Sequence, residues 1–369
     1  MAKKYQNIAK DLRIDFDRIL RRWDGFGFTY VETSQTIDYK SDPQEYGGFS
    51  LLSENDRDRV IDLVYGPNGL KPGLAKIFLD PFHQSEDRLN PSDPTSIDQG
   101  IYDHESSTKW VREFIRRGLE QTRRHGRDLS IITTLFGPPP FMTTQRIMRG
   151  RDLDEDFRDE LAKYVVAWAQ YLRDAERFPV NYVALHNEGE DLTRWPEDGS
   201  HGNIGDGHDY NLLSPPEQVS DLIRRTRNVL DANGMTEVGV APGETTSWIR
   251  FWLYGYADQI ADDPDVIDAL GIITSHGFSR LIPGTEYFDS RSTGVDTLRS
   301  LRPGLPAWVT STSWSRMDPQ FVFEIFNNIY MAKVNGIIPW AGIQVPNRWV
   351  GGDPNPGSGD CRDQRPAYA

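Results

Sequence analysis

The sequence holds one cysteine, Cys361. That excludes an internal disulfide framework and any metal site built on paired thiolates. Long apolar runs are missing too, so no bilayer-spanning segment and no membrane partner are read. The first residues, MAKKYQNIAKDLRIDF, carry no apolar stretch behind their lysines. No signal peptide is therefore visible, and the expected location is cytoplasmic, or secreted with the signal removed. Basic charge is in deficit: 41 Lys and Arg stand against 55 Asp and Glu, a formal charge of −14. Such a surface repels phosphate backbones, so no nucleic-acid partner is expected. The phosphate-cradling patterns G-x-G-x-x-G and G-x-x-x-x-G-K-[ST] are absent, and no H-E-x-x-H pair occurs among the seven histidines. Neither a cofactor nor a metal site is expected. The sequence leaves the oligomeric state open.

What is present is alternation. Short runs rich in β-branched and aromatic residues fall at 24–33, 74–80, 130–135, 180–186, 237–241, 270–275, 307–312 and 336–340. Between most of them lie amphipathic stretches. One begins at Ser53, where S-E-N-D fits a capping box closed by Asp56. Trp110, Val111, Phe114, Ile115 and Leu119 recur at helical spacing, and so do Leu161, Tyr164, Val165, Trp168 and Leu172. Further helices are read at 219–230, 248–260 and 321–334. Eight strands in a β-then-α order predict a (β/α)8 TIM barrel, with an open doubly wound sheet as the alternative. The barrel is assigned to 23–345, after an N-terminal extension at 1–22 and before an irregular C-terminal tail at 346–369. No eighth helix is legible after Trp340, and residues 5–20 are the candidate to cover that gap.

In such a barrel, reactive side chains sit where strands end. The fourth strand closes in His186-Asn187-Glu188. A carboxylic acid can protonate a departing glycosidic oxygen, and the neighbouring amide can bond a sugar hydroxyl. The bland reading is a solvated loop glutamate. Retaining cleavage needs a second carboxylate about 5–5.5 Å away. The seventh strand is the place for it, but Trp308-Val309-Thr310-Ser311-Thr312-Ser313-Trp314 contains no Asp or Glu.

The series of motifs resembles clan A glycoside hydrolases, nearest to glycoside hydrolase family 30. The stretches that carry the likeness are WDGFGFTYVETSQT, LFGPPPFMT, VALHNEGE, ITSHGFS, PAWVTSTSW and IPWAGIQVPNRWVGGDPNPG, together spanning residues 23–357. The resemblance implies a retaining mechanism with two glutamates and an oligosaccharide, polysaccharide or glycoside substrate. The acid/base that follows Asn on strand four falls on Glu188. The nucleophile of a W-x-T-E stretch on strand seven falls on Ser311, a departure that implies impaired hydrolysis. Members of the family carry a β-sandwich beside the barrel. Here that side domain is read as missing, with CRDQRPAYA as a frame-shifted or truncated remnant.

Around this pair, Asn187, His276, Trp340, Trp314, Glu244, Glu32 and Trp248 are the expected substrate contacts. Glu244 reads equally well as plain surface. His276 is expected to bond a sugar hydroxyl or to orient the acid. Trp340 is the preferred stacking platform, because indole faces pack on the apolar faces of sugars, while Trp248 is the one closest to ordinary packing. Thr33 and His83 are further candidates to line the pocket. Two other functions stay open. One is a non-catalytic carbohydrate-binding protein on the same barrel. The other is an unrelated barrel enzyme, which would need a lysine or a metal cluster at the strand ends.

Overall fold

The computed structural model describes residues 15, 17–33, 36, 38–41, 45–192, 195–200, 210–279, 290–312 and 319–343. The runs of β-branched and aromatic residues form eight parallel strands. These are β1 (Gly25–Tyr30), β2 (Leu74–Leu79), β3 (Ser130–Leu135), β4 (Val180–Ala184), β5 (Gly239–Ala241), β6 (Ile273–Ser275), β7 (Ala307–Thr312) and β8 (Gly336–Pro339). Their order around the sheet is β5-β4-β3-β2-β1-β8-β7-β6. The outermost pair, β5 and β6, meet through the bridges Val240–Leu270 and Thr245–Ser275, which close the sheet into a (β/α)8 barrel. The open-sheet alternative is thereby excluded. Closure depends on two small residues: a Cβ on Gly271 would lie 2.4 Å from the Cα of Gly239.

The helices are α1 (Glu54–Tyr65), α2 (Lys109–Arg124), α3 (Arg158–Asp174), α4 (Pro216–Ala232), α5 (Trp248–Leu253), α6 (Tyr256–Ala261), α7 (Pro264–Ala269), α8 (Thr293–Leu301) and α9 (Pro319–Tyr330). Ser53 caps α1 as its sequence suggests. Its hydroxyl oxygen accepts from the Asp56 amide at 3.3 Å, and its O–H donates to the Asp56 carboxylate at 2.7 Å. One expectation needs correction, and α7 and α8 were not anticipated. The stretch 248–260 is not one helix, because Gly255 enters the left-handed region at φ 85° and splits it into α5 and α6. Helix α8 escaped the periodicity because only Gly294, Val295 and Leu298 of its nine residues are buried. The tail at 346–369, and with it the question of a side domain, lies outside the described residues, as does most of 5–20.

Period-two alternation stacks the barrel interior in layers. At the bottom, Leu74, Ile132, Ala184, Ala241, Ile272, Trp308 and Ile338 form one apolar cluster. Two residues further along β2 and β3 come Lys76 and Thr134, and two beyond those come Phe78 and Phe136. The two phenyl rings stack with centroids 4.2 Å apart, in a second cluster with Val31, Tyr46, Tyr210 and Trp340. A polar layer is thus enclosed between apolar ones. The larger core lies outside the barrel wall, where strand residues such as Ile131, Val183 and Val309 meet the helices.

Candidate active site

The polar layer is built around Glu244, which follows β5. Main-chain pairing continues past the ends of β4 and β5: the Glu188 amide donates to the Glu244 carbonyl at 2.7 Å, and the Glu244 amide donates to the His186 carbonyl at 2.9 Å. That pairing sets Glu188 and Glu244 on adjacent strand ends. Both carboxylates are buried. Lys76 Nζ forms an ion pair with Glu244 Oε2, and Thr134 Oγ1 donates to Glu244 Oε1 at 2.8 Å. Lys76 also lies under the Phe78 ring, 4.3 Å from its centroid.

His276, just past β6, joins the two glutamates. Its Nδ1 is 2.8 Å from Glu188 Oε1, and its Nε2 is 3.2 Å from Glu244 Oε2. Its amide donates to the Thr245 carbonyl at 2.8 Å, which fixes the backbone. Burial disfavours a charged imidazole. The bonds to Glu188 and Glu244 outweigh it and raise His276 above its ordinary value. For Glu244 burial pushes upward, but Lys76 and His276 prevail and hold the carboxyl below its usual range.

Glu188 itself adopts φ 48°, a left-handed conformation uncommon for a residue with a Cβ. Backbone held in such a state clusters at functional sites. Behind it, His186 Nδ1 accepts from the Gly189 amide at 3.1 Å. Burial drives His186 down to about 4, so it is neutral at physiological pH. Asn187 Nδ2 donates to Asn211 Oδ1 at 3.1 Å. Glu190 is buried, and its Oε1 accepts from the Thr246 amide at 2.7 Å. Burial, then the nearby Glu188, raises its pKa.

Ser311 is buried as the penultimate residue of β7. Trp308 faces the barrel interior and Val309 faces the helices. The pairing of β7 with β8 then slips between Val309 and Thr312. One extra residue is accommodated there, the kind of bulge that re-aims side chains at the rim of a barrel.

The remaining sequence candidates scatter. Glu244 is neither plain surface nor an open contact, because its two oxygens are taken up by Lys76, Thr134 and His276. Glu32 caps a helix: its Oε2 accepts from the Trp110 and Val111 amides at 2.8 and 2.7 Å, at the start of α2. The cavity that Glu32 and Thr33 line is about 10 Å³, room for one water and not for a sugar. Trp248 packs in the core, where its indole N–H donates to Asn328 Oδ1 at 2.8 Å. Trp340 is buried at the barrel mouth, with its indole N–H donating to the Tyr46 hydroxyl at 2.9 Å. His83 bonds His104 through their Nδ1 atoms at 2.9 Å, behind β2. Trp314 lies outside the described residues.

Sequence reading missed Lys76, Thr134, Asn211, His186 and Glu190. For Lys76 there was a usable signal. A lysine inside the apolar strand LAKIFLD is expensive unless paired, so a buried acid had to exist somewhere. Its identity was not readable. This lysine lies inside the barrel, yet it is closed off by the Glu244 ion pair and is not an open nucleophile at a strand end. Among the described residues, no group of three or more His, Cys, Asp or Glu side chains is placed to hold a metal ion.

Solved structures share this architecture. The catalytic domain of a GH30 xylanase C from Talaromyces cellulolyticus aligns with TM-score 0.57 at 15% identity, over 88% of this chain and 69% of its own. A glycoside hydrolase family 30 subfamily 8 xylanase from Clostridium acetobutylicum gives 0.57 at 17% identity, over 91% and 66%. An endo-beta-1,6-glucanase gives 0.59 at 15% identity, over 87% and 66%. This chain therefore spans about two thirds of the length of those proteins. No protein-family model and no curated protein matches the sequence. At these identities the likeness is one of fold: a (β/α)8 barrel similar to that of the glycoside hydrolase family 30 xylanases.

Proposed function

We propose that this barrel is a retaining-type glycosidase scaffold for β-linked sugars, with Glu188 as its acid/base and Ser311 where the nucleophile belongs. The observation that carries this reading is the placement of Glu188. It lies just past β4, is held in a left-handed backbone, and is bonded by an imidazole that is itself anchored. Such a group can give a proton to a glycosidic oxygen as the bond to the sugar breaks, and take one from water afterwards. Substrates of the neighbouring enzymes, xylan and β-1,6-glucan by their names, fit the same class.

The weak point of the chemistry is Ser311. A retaining enzyme needs an ionised carboxylate to trap the sugar as a covalent intermediate, and a serine hydroxyl is not ionised at neutral pH. Glu244 does not substitute for it, since an imidazole ring fills the space between it and Glu188 and Lys76 neutralises its charge. Hydrolysis by the chain as it stands is therefore greatly weakened.

Ser311→Glu tests this reading with aryl β-glycosides. Restored hydrolysis in a folded protein supports the assignment, whereas a folded but inactive variant overturns it. Azide supplied to the unchanged protein is an independent check, because a small anion can replace the missing nucleophile. The burial of Ser311 favours a second reading, a carbohydrate-binding protein that has lost the reaction. In that case sugar affinity survives Glu188→Gln, and Ser311→Glu restores little.

A further inference from the structure

His276 lies between two carboxylates with a ring nitrogen facing each. A neutral imidazole has one N–H, so it can donate to only one of them. Two arrangements satisfy both contacts while Glu244 stays a carboxylate. In one, the ring is an imidazolium donating to two carboxylates. In the other, the ring is neutral, Nε2–H donates to Glu244, and Glu188 carries the proton and donates it to Nδ1. They differ only in where one proton sits along the 2.8 Å Nδ1–Oε1 contact, and the net charge of the cluster is the same in both.

Which nitrogen keeps its proton is decided from the other side. Glu244 is paired with Lys76, with both side chains fully shielded. It remains a carboxylate and an acceptor, so Nε2 keeps its hydrogen and Nδ1 is the position that titrates. We propose that His276 is the positioning residue that stores the working proton of Glu188 at Nδ1, and that the buried Glu244–Lys76 pair fixes the tautomer that allows it. The proposal rests on the reading of Glu188 as acid/base and adds the origin of its proton.

The step balances. The proton moves from Nδ1 to Glu188 Oε1, leaving a neutral imidazole and a carboxylic acid. The acid then gives that proton to the glycosidic oxygen, which keeps the electron pair of the breaking carbon–oxygen bond. Water, the co-substrate, returns a proton when it attacks the sugar. Among the described residues, the groups facing His276 are Glu188 and His186 from the end of β4, Glu244 from the end of β5 and Lys76 from β2. The Phe278 ring, edge-on with centroids 5.8 Å apart, shields it further. His186 is neutral near physiological pH, so the charge that favours a protonated His276 comes from the two glutamates.

Nitrogen-15 histidine spectra of the full chain test this without any substrate, with the His276 signals assigned by their loss in His276→Asn. The expected result is an Nε2–H tautomer in alkaline solution and an Nδ1 that titrates with a midpoint above 6.5, the ordinary histidine value. Glu244→Gln should lower that midpoint, and Lys76→Arg should preserve it. An Nδ1–H tautomer, or a midpoint unmoved in Glu244→Gln, overturns the proposal. Should Glu244→Gln fail to fold, the tautomer of the unchanged protein still decides. Inactivity of Ser311→Glu would sink the glycosidase reading and leave these spectra as they are, so the two failures are distinguishable.

Discussion

Lys76 and Glu244, 168 residues apart in sequence, form an ion pair inside the barrel with neither side chain reaching solvent. Two strands, β3 and β4, separate β2 from β5 in the sheet, so the pair spans the interior and does not run along the wall. A buried pair of this kind is weak evidence for stability, because desolvating both charges offsets most of their attraction. Its better-supported consequence is that neither partner can be removed alone.

Lys76→Met should therefore destabilise the fold by roughly 3–5 kcal/mol, the cost of leaving a buried charge without its partner. Glu244→Leu alone should cost a similar amount. The double variant should recover most of the loss, since two apolar side chains leave no charge to desolvate. Urea unfolding of the three variants measures this, and strictly additive losses would show that the two side chains are not coupled.

Stability should fall on both sides of neutrality, for different reasons. His186 titrates at about 4 in the folded chain against 6.5 for an ordinary histidine. Between those values the unfolded chain binds the proton and the folded chain does not, so stability declines as pH drops through that window. The loss approaches about 3 kcal/mol at its lower end. Glu244 is held below its ordinary value, so its contribution is present above the unfolded carboxylate range and disappears in stronger acid. His276 is raised, so its contribution is complete below 6.5 and is lost as pH climbs through its folded value. Urea midpoints from pH 4 to 9 should trace both limbs. His186→Gln should flatten the acid limb and His276→Asn the alkaline one.

Glu32→Ala separates structure from sugar recognition. Its carboxylate caps α2 through two backbone amides, so the variant should lose about 1–2 kcal/mol in thermal or urea unfolding. Affinity for β-linked oligosaccharides should stay unchanged. A large drop in affinity with little change in stability would return Glu32 to the binding site.

Much of the barrel was legible in the chain itself. The predicted strands at 130–135 and 307–312 coincide with β3 and β7, and the other six differ only at their ends. Strand-end placement also drew attention to Glu188, Ser311 and His276. Local signals failed where elements are short or interrupted, as in α8 and at Gly255.

Strand periodicity, helix caps and the charge balance are properties of neighbours along the chain, so the sequence alone determined the order of the strands and the strand ends near which Glu188, Glu244, His276 and Ser311 lie. Which of those side chains meet was decided by barrel closure and strand register. These bring Lys76, Glu188, Glu244 and His276 together from four strands, carry Glu32 to the start of a helix and bury Trp248 in the core. A pairing across the interior leaves no mark in either partner's local pattern, because the low-dielectric environment that enforces it exists only once the sheet has closed.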